Sequence, residues 1–283
     1  MWEKRSKQVF LACVSVSMVL LIQMTIYLFR KLLGLPIEFN LIQLCSTALQ
    51  SLGFTSLEYL LEVIIYATVS MTVYKIVKQL YLSYTIHKKM AEKMNTALTA
   101  QYNRQFSLPK ETIQVIDEDA VLSLTMGFFR PKIILSAGLL NLLDEGERQA
   151  VVFHEIYHQK NRDPLKLFVL SVCSSVMWYI PILSWFYQKY RTIRELLADH
   201  YAICSLQSSA DLGSALLKIL KTNQKKKLLS FSYAPFADTA INLRIQKILD
   251  PFAETPLEFP LKKAAVSMLV FFMLLSMFLI ELS

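Results

Sequence analysis

Two histidines, His154 and His158, stand four residues apart in the run V-V-F-H-E-I-Y-H, with Glu155 beside the first. On a helix, that spacing is slightly more than one turn. Both imidazoles then project from one face and can reach a single ion at about 2.0–2.1 Å. Glu155 points about a quarter-turn away. It is badly placed to bind the same ion and well placed to hold a water molecule beside it as a general base. The chain has only four histidines, so a chance match to this pattern is a weak competitor. The bland alternative is a buried helix whose histidines are satisfied by hydrogen bonds.

A catalytic zinc centre needs a third protein ligand and one open position. The run R-E-L-L-A-D, Arg194 to Asp199, offers the ligand. Glu195 and Asp199 share one face of a predicted helix. Glu195 is expected to complete the metal set, and Asp199 to accept the free N–H of a ligating imidazole. Alone, the pair would read as a solvated helix face. His200 lies off the Glu195 face and is a weaker candidate for the oxyanion. His87 reads as an interfacial side chain.

These residues need elements to hold them. Asp144 with Glu147 forms a capping-box pattern, so a helix should start there and end near Asn161. Asp163 and Pro164 look like the cap and first position of the next helix. Thr112 to Asp117 and Lys132 to Ser136 read as short strands, and Val121 to Met126 as a third, turned by Gly127. An extended substrate could pair with Ile133, Ile134 and Leu135 if that strand were an edge. The apolar stretch 165–187 cannot be a single membrane crossing. His158 precedes it and Glu195 follows it, so a crossing would separate the ligands. Pro181 allows a hairpin that dips into the bilayer and returns.

Apolar residues make up 54% of the 283-residue chain and charged residues 18%, a balance unlike that of a soluble domain. Val9 to Phe29 and Leu57 to Leu82 are long enough to cross a bilayer. The stretch 37–54 fits either an amphipathic outer segment or a third crossing. Ala264 to Ile280 forms a last span after Lys262 and Lys263, with the short tail outside. The basic cluster His87, Lys88, Lys89 and Lys93 places the following domain in the cytoplasm. This predicts a membrane region over 1–87, a zinc peptidase domain over 88–260 and a C-terminal span over 261–283. The net charge of +8 lies beside apolar segments, and no basic stripe interleaved with aromatics argues for direct nucleic-acid binding. None of the four cysteines has CxxC spacing, and buried thiols are expected.

The pairing of H-E-I-Y-H with R-E-L-L-A-D resembles the gluzincin peptidases. The runs G-F-F-R-P-K-I-I-L-S (Gly127 to Ser136), H-E-I-Y-H-Q-K-N-R-D (His154 to Asp163), W-Y-I-P (Trp178 to Pro181) and I-N-L-R-I-Q-K-I-L (Ile241 to Leu249) resemble the BlaR/MecR-type membrane metallopeptidases. The resemblance implies an α-helical, multi-pass bacterial membrane protein with a small α+β gluzincin-type domain. It also implies a regulatory zinc endopeptidase that cuts a cytoplasmic transcriptional repressor or another protein near the bilayer. The β-lactam-sensing members carry an extracellular sensor after the last span. This chain ends at Ser283, so direct antibiotic sensing is not expected. HtpX-like quality control of membrane proteins shares the two motifs and stays open, as does a non-catalytic zinc-bearing receptor or scaffold.

Overall fold

The structure is a computed structural model and describes residues 2–34, 55–227, 235–250 and 260–279. In chain order the elements are α1 (Trp2–Leu33), α2 (Thr55–Glu92), α3 (Thr96–Gln105), β1 (Ile113–Ile116), β2 (Ser123–Met126) and β3 (Lys132–Ser136). They continue with α4 (Ala137–Leu142), α5 (Glu145–Lys160), α6 (Asp163–Val176), α7 (Pro181–Leu206), α8 (Ser209–Lys227), α9 (Pro235–Leu249) and α10 (Leu261–Leu279). Among the described residues the chain is thus mostly helical, with one small sheet. The ambiguous stretch 37–54 and the C-terminal tail lie outside the described residues.

Two compact units divide the chain. One comprises Met1–Glu3, Leu82–Leu167 and Arg191–Leu257; the other comprises Lys4–Tyr81, Phe168–Tyr190 and Glu258–Ser283.

In the first unit the strand order is β1-β3-β2, with β1 parallel and β2 antiparallel to β3. Isoleucines and a leucine at Ile113, Ile133 and Leu135 pack with Leu139, Val151, Val152 and Ile156, which seats α5 against the sheet. A second cluster of Ala150, Ala202, Leu212, Leu216 and Ile248 joins α5 to α7, α8 and α9. The predicted capping box is formed: Asp144 accepts from the Glu147 amide, and Glu147 accepts from the Asp144 amide, each at 2.9 Å. Gly127 turns the chain after β2 at φ +100, a conformation that L side chains rarely adopt.

The strand order corrects one expectation. Ile133, Ile134 and Leu135 belong to the central strand, are each 0% exposed and have partners on both sides. They cannot receive an added strand. The outer side of β1 is also closed: the Ile113 amide donates to Asn103 Oδ1 at 2.9 Å and the Val115 amide to Thr99 Oγ1 at 3.0 Å, both on α3. Among the described residues, the edge without a strand or helix partner for its main chain is that of β2.

In the second unit, Met24, Tyr27 and Ile65 form a small core with Val69 and Tyr179 against them. Phe10 packs on Tyr190 at 5.5 Å between ring centroids, and the Ile182 amide at the start of α7 donates to Ser267 Oγ of α10 at 2.9 Å. Among the described residues, two helices are long and apolar enough to cross a membrane, Ser6–Leu33 and Glu62–Glu92. Their most apolar windows are only 17% and 11% buried, where the core helix of a soluble protein would be mostly covered. α2 runs unbroken through the basic cluster to Glu92, as no Gly or Pro interrupts it. The break before Pro181 falls where that residue predicts it, with α6 ending at Val176. Cys13 and Cys173 are buried and unpaired, whereas Cys204 is exposed, against the expectation for it.

Candidate metal centre

α5 presents His154 and His158 from one face, and α7 brings Glu195 to them. Ligand atoms of the three lie within 4.8 Å of one another. The two Nε2 atoms are 3.1 Å apart, and they stand 3.6 and 3.8 Å from the Glu195 oxygens. Ligands at zinc–nitrogen distances around a tetrahedral ion are about 3.3 Å apart, so these separations bracket what zinc requires.

Each imidazole has a carboxylate against its other nitrogen, hydrogen-bonded at His158 and in ion-pair contact at His154. His154 Nδ1 meets Asp199 Oδ1 at 2.8 Å, and His158 Nδ1 meets Asp163 Oδ2 at 2.8 Å. A neutral histidine that gives its Nδ1 proton to a carboxylate turns a lone pair outward at Nε2. Two such lone pairs facing each other at 3.1 Å repel unless a cation or a proton lies between them. The residues present therefore fit a divalent metal.

Arginines close the outer layer. Arg194 Nε contacts Asp163 Oδ1 at 2.8 Å, and its guanidinium lies 4.6 Å from the Tyr157 ring centroid. Arg244 of α9 grips Asp199 with two bonds of 2.8 Å and reaches Glu195 Oε2 at 3.1 Å. Burial alone would lower the pKa of His154, but Asp199 and Glu195 outweigh it and raise the value to about 9. Burial likewise works to raise Glu195 and Asp199. Contact with His154 and the Arg244 charge overcome it, and both carboxyls sit below their ordinary range.

Glu155 lies outside this triplet. Ser123 Oγ donates to Oε1 at 2.8 Å and Thr125 Oγ1 to Oε2 at 2.7 Å, both from β2. The carboxylate is thereby fixed, with acceptor sites left for a water molecule. A cavity of about 500 Å³ opens between β2 and α5 and reaches Leu212, Leu216 and Ile219 of α8.

Against the sequence reading, the structure brings His154, Glu155, His158, Glu195 and Asp199 together. It does not bring His200, which is exposed and faces Cys204 Sγ, one turn along α7, at 3.5 Å. One residue past Asp199 is 100° around the helix, which turns the ring away from the cavity. Asp163 is not the predicted cap: α6 begins at that residue, and its carboxylate is committed to His158 and Arg194. Ser123, Thr125 and Arg244 had no role assigned from sequence; the run around Arg244 stood out only through family resemblance.

A helix carrying two histidines, a carboxylate from a second helix, and a braced glutamate beside a cleft together make a metallopeptidase-like centre. The chain belongs to the BlaR1 peptidase M56 family, which matches residues 45–248. It is also 29% identical over 137 residues to the Regulatory protein BlaR1 of Bacillus licheniformis. That alignment covers 47% of this chain and 23% of the relative.

Proposed function

We propose that the chain is a zinc-dependent endopeptidase of regulatory type, cutting a cytoplasmic repressor or another protein close to the bacterial membrane. The observation that carries this reading is the convergence of His154, His158 and Glu195 on one point, with Glu155 held just outside it. Two imidazoles with one carboxylate favour zinc over magnesium or calcium. Bound there, zinc would act as a Lewis acid on a peptide carbonyl and acidify water at its open position.

The chain's own groups do the rest. Glu155 takes a proton from the attacking water and returns it to the leaving amine. Asp199 and Asp163 keep both imidazoles in the tautomer that leaves Nε2 free. The Ser136 amide donates to the Leu122 carbonyl at 3.1 Å, so by alternation the main-chain groups of Ser123 and Thr125 point to the outer edge of β2. An extended substrate pairs there by strand addition. Its apolar side chains meet Leu212, Leu216 and Ile219. The basic residues Lys88, Lys89 and Lys93 support a cytoplasmic side for this unit. The relative's description as a regulatory protein supports the regulatory role.

The test compares protein N-termini in cells making the native chain and Glu155→Ala. One or two termini that depend on Glu155 support regulation, and many support broad quality control. No difference, with zinc content intact, removes the enzyme reading and leaves a scaffold.

A further inference from the structure

A second cavity, of about 570 Å³, lies at the end of the sheet where β1 and β3 begin, beside the C-terminus of α5. Its lining is strongly basic. Lys110, Arg130, Lys132, Lys160 and Arg162 face it, against one carboxylate, Glu111. Lys132 is paired with Glu111 at 3.2 Å, and Lys160 donates to the Tyr201 hydroxyl at 2.9 Å. Lys110, Arg130 and Arg162 form no ion pair among the described residues. Uncompensated cations around one concavity repel each other and focus a positive potential, which an anion relieves. Glu111 and Arg162 both hold left-handed backbone, at φ 62 and 51, a strain that non-glycine residues keep where the surroundings fix it.

Two observations identify the anion. Phe129, on the loop between β2 and β3 and part of the same lining, is 77% exposed. An apolar ring standing among cations is the composition of a surface that enters the headgroup region of a bilayer. One of its cations also lies within charge range of the end of α2. Lys132 is near enough to His87 for their charges to interact, and His87 lies in the last turns of α2, in the basic cluster at the end of a helix long and apolar enough to cross a membrane. All these residues belong to one compact unit.

We infer that this cavity holds the phosphate of an anionic phospholipid headgroup, with Phe129 entering the acyl boundary. Lys110, Arg130 and Arg162 supply the charge that recognises it. Anionic lipid then fixes the β2–β3 loop, and with it the end of the strand that carries Ser123 and Thr125.

The experiment follows amide hydrogen exchange in the full chain in nanodiscs of phosphatidylcholine alone, and with phosphatidylglycerol added. Exchange across 127–132 should slow about tenfold with phosphatidylglycerol, the protection expected at ten times a dissociation constant. The Lys110→Gln/Arg130→Gln/Arg162→Gln variant should lose that protection while zinc content is unchanged. Two further arms use phosphatidylcholine discs with inorganic phosphate or with poly-glutamate. Equal exchange in the two lipid mixtures overturns the inference without any variant. So does full protection by phosphate alone, which would mark a soluble-anion site, or by poly-glutamate, which would mark an acidic protein partner. Exchange is read without peptide cleavage, so failure of the peptidase reading leaves this result interpretable.

Discussion

Asp163→Asn isolates a residue that the sequence disguised as a helix cap. The native carboxylate is 1% exposed, accepts from His158 Nδ1 at 2.8 Å and forms a buried ion pair with the N–H-bearing Nε of Arg194 at 2.8 Å. Asparagine has one oxygen and one NH2 group. Whichever way the amide turns, one donor faces another donor, and Arg194, itself 1% exposed, keeps its charge without a counter-ion. Breaking a buried ion pair from one side costs about 3–5 kcal/mol, a large part of the stability of any domain. His158 also loses the negative charge that orients its ring and raises its basicity, which lowers metal affinity by about 10–100-fold. The two effects separate in a double variant. Asp163→Asn/Arg194→Met removes the stranded charge and should recover much of the melting temperature. It should not recover zinc affinity, because His158 still lacks its carboxylate. Thermal melting and competition against a chromophoric chelator measure the two quantities. Native zinc affinity in Asp163→Asn would refute the assignment, as would joint recovery of stability and affinity in the double variant.

Glu155→Gln should abolish cleavage by about 10²–10⁴-fold while zinc content stays native, since the residue stands outside the ligand triplet; loss of zinc in that variant contradicts the geometry. In chelator-treated protein, the His154 pKa of about 9 lies above its unfolded value of 6.5. Its stabilising contribution is therefore complete below pH 6.5 and is lost as pH rises through about 9. The melting temperature of metal-free protein should fall across that window, while zinc affinity rises as the displaced proton becomes easier to remove. A flat metal-free profile counts against the His154–Asp199 contact. Gly138→Ala should destabilise the fold by about 2–3 kcal/mol, because the new methyl would sit 2.6 Å from the Asp119 carbonyl carbon, a backbone atom that cannot rotate away. Equal melting of this variant and the native chain would show that the α4 start shifts freely.

The parts of the fold that were legible in sequence are those written locally. The capping box of Asp144 and Glu147 needs three intervening bonds of chain, and the helix that it opens carries both histidines. The four-residue spacings of His154/His158 and Glu195/Asp199 need only helical periodicity. What escaped was set by tertiary pairing. Asp163 satisfies the pattern of a cap before Pro164, and nothing local shows that its oxygens turn to His158 and Arg194 instead. Arg244 lies 45 residues beyond Asp199, and no periodicity links them. Strand order does leave a local signal. An unbroken apolar run at Ile133, Ile134 and Leu135 marks a strand covered on both faces, whereas an edge strand shows alternation, as Ser123, Leu124 and Thr125 do.

The buried charges explain why these distant residues belong to one device. With both imidazoles neutral, Glu155, Asp163, Glu195 and Asp199 bring four carboxylates to the centre, and Arg194 and Arg244 bring two guanidiniums. Among these groups the remainder is two negative charges, the complement of one divalent cation; Arg191, which also lines the cavity, is exposed to solvent. A buried ionic layer is costly unless every member is paired. Here each arginine is spent on a carboxylate that orients a histidine, so the pairing that makes burial tolerable also aims the ligands. Without metal, the imbalance is partly met by a proton on His154, which is why that group titrates so high. Metal and proton thus compete for the same two lone pairs. The network on α6, α7 and α9 sets the terms of that competition, whereas α5 supplies the two histidines and the Glu155 carboxylate.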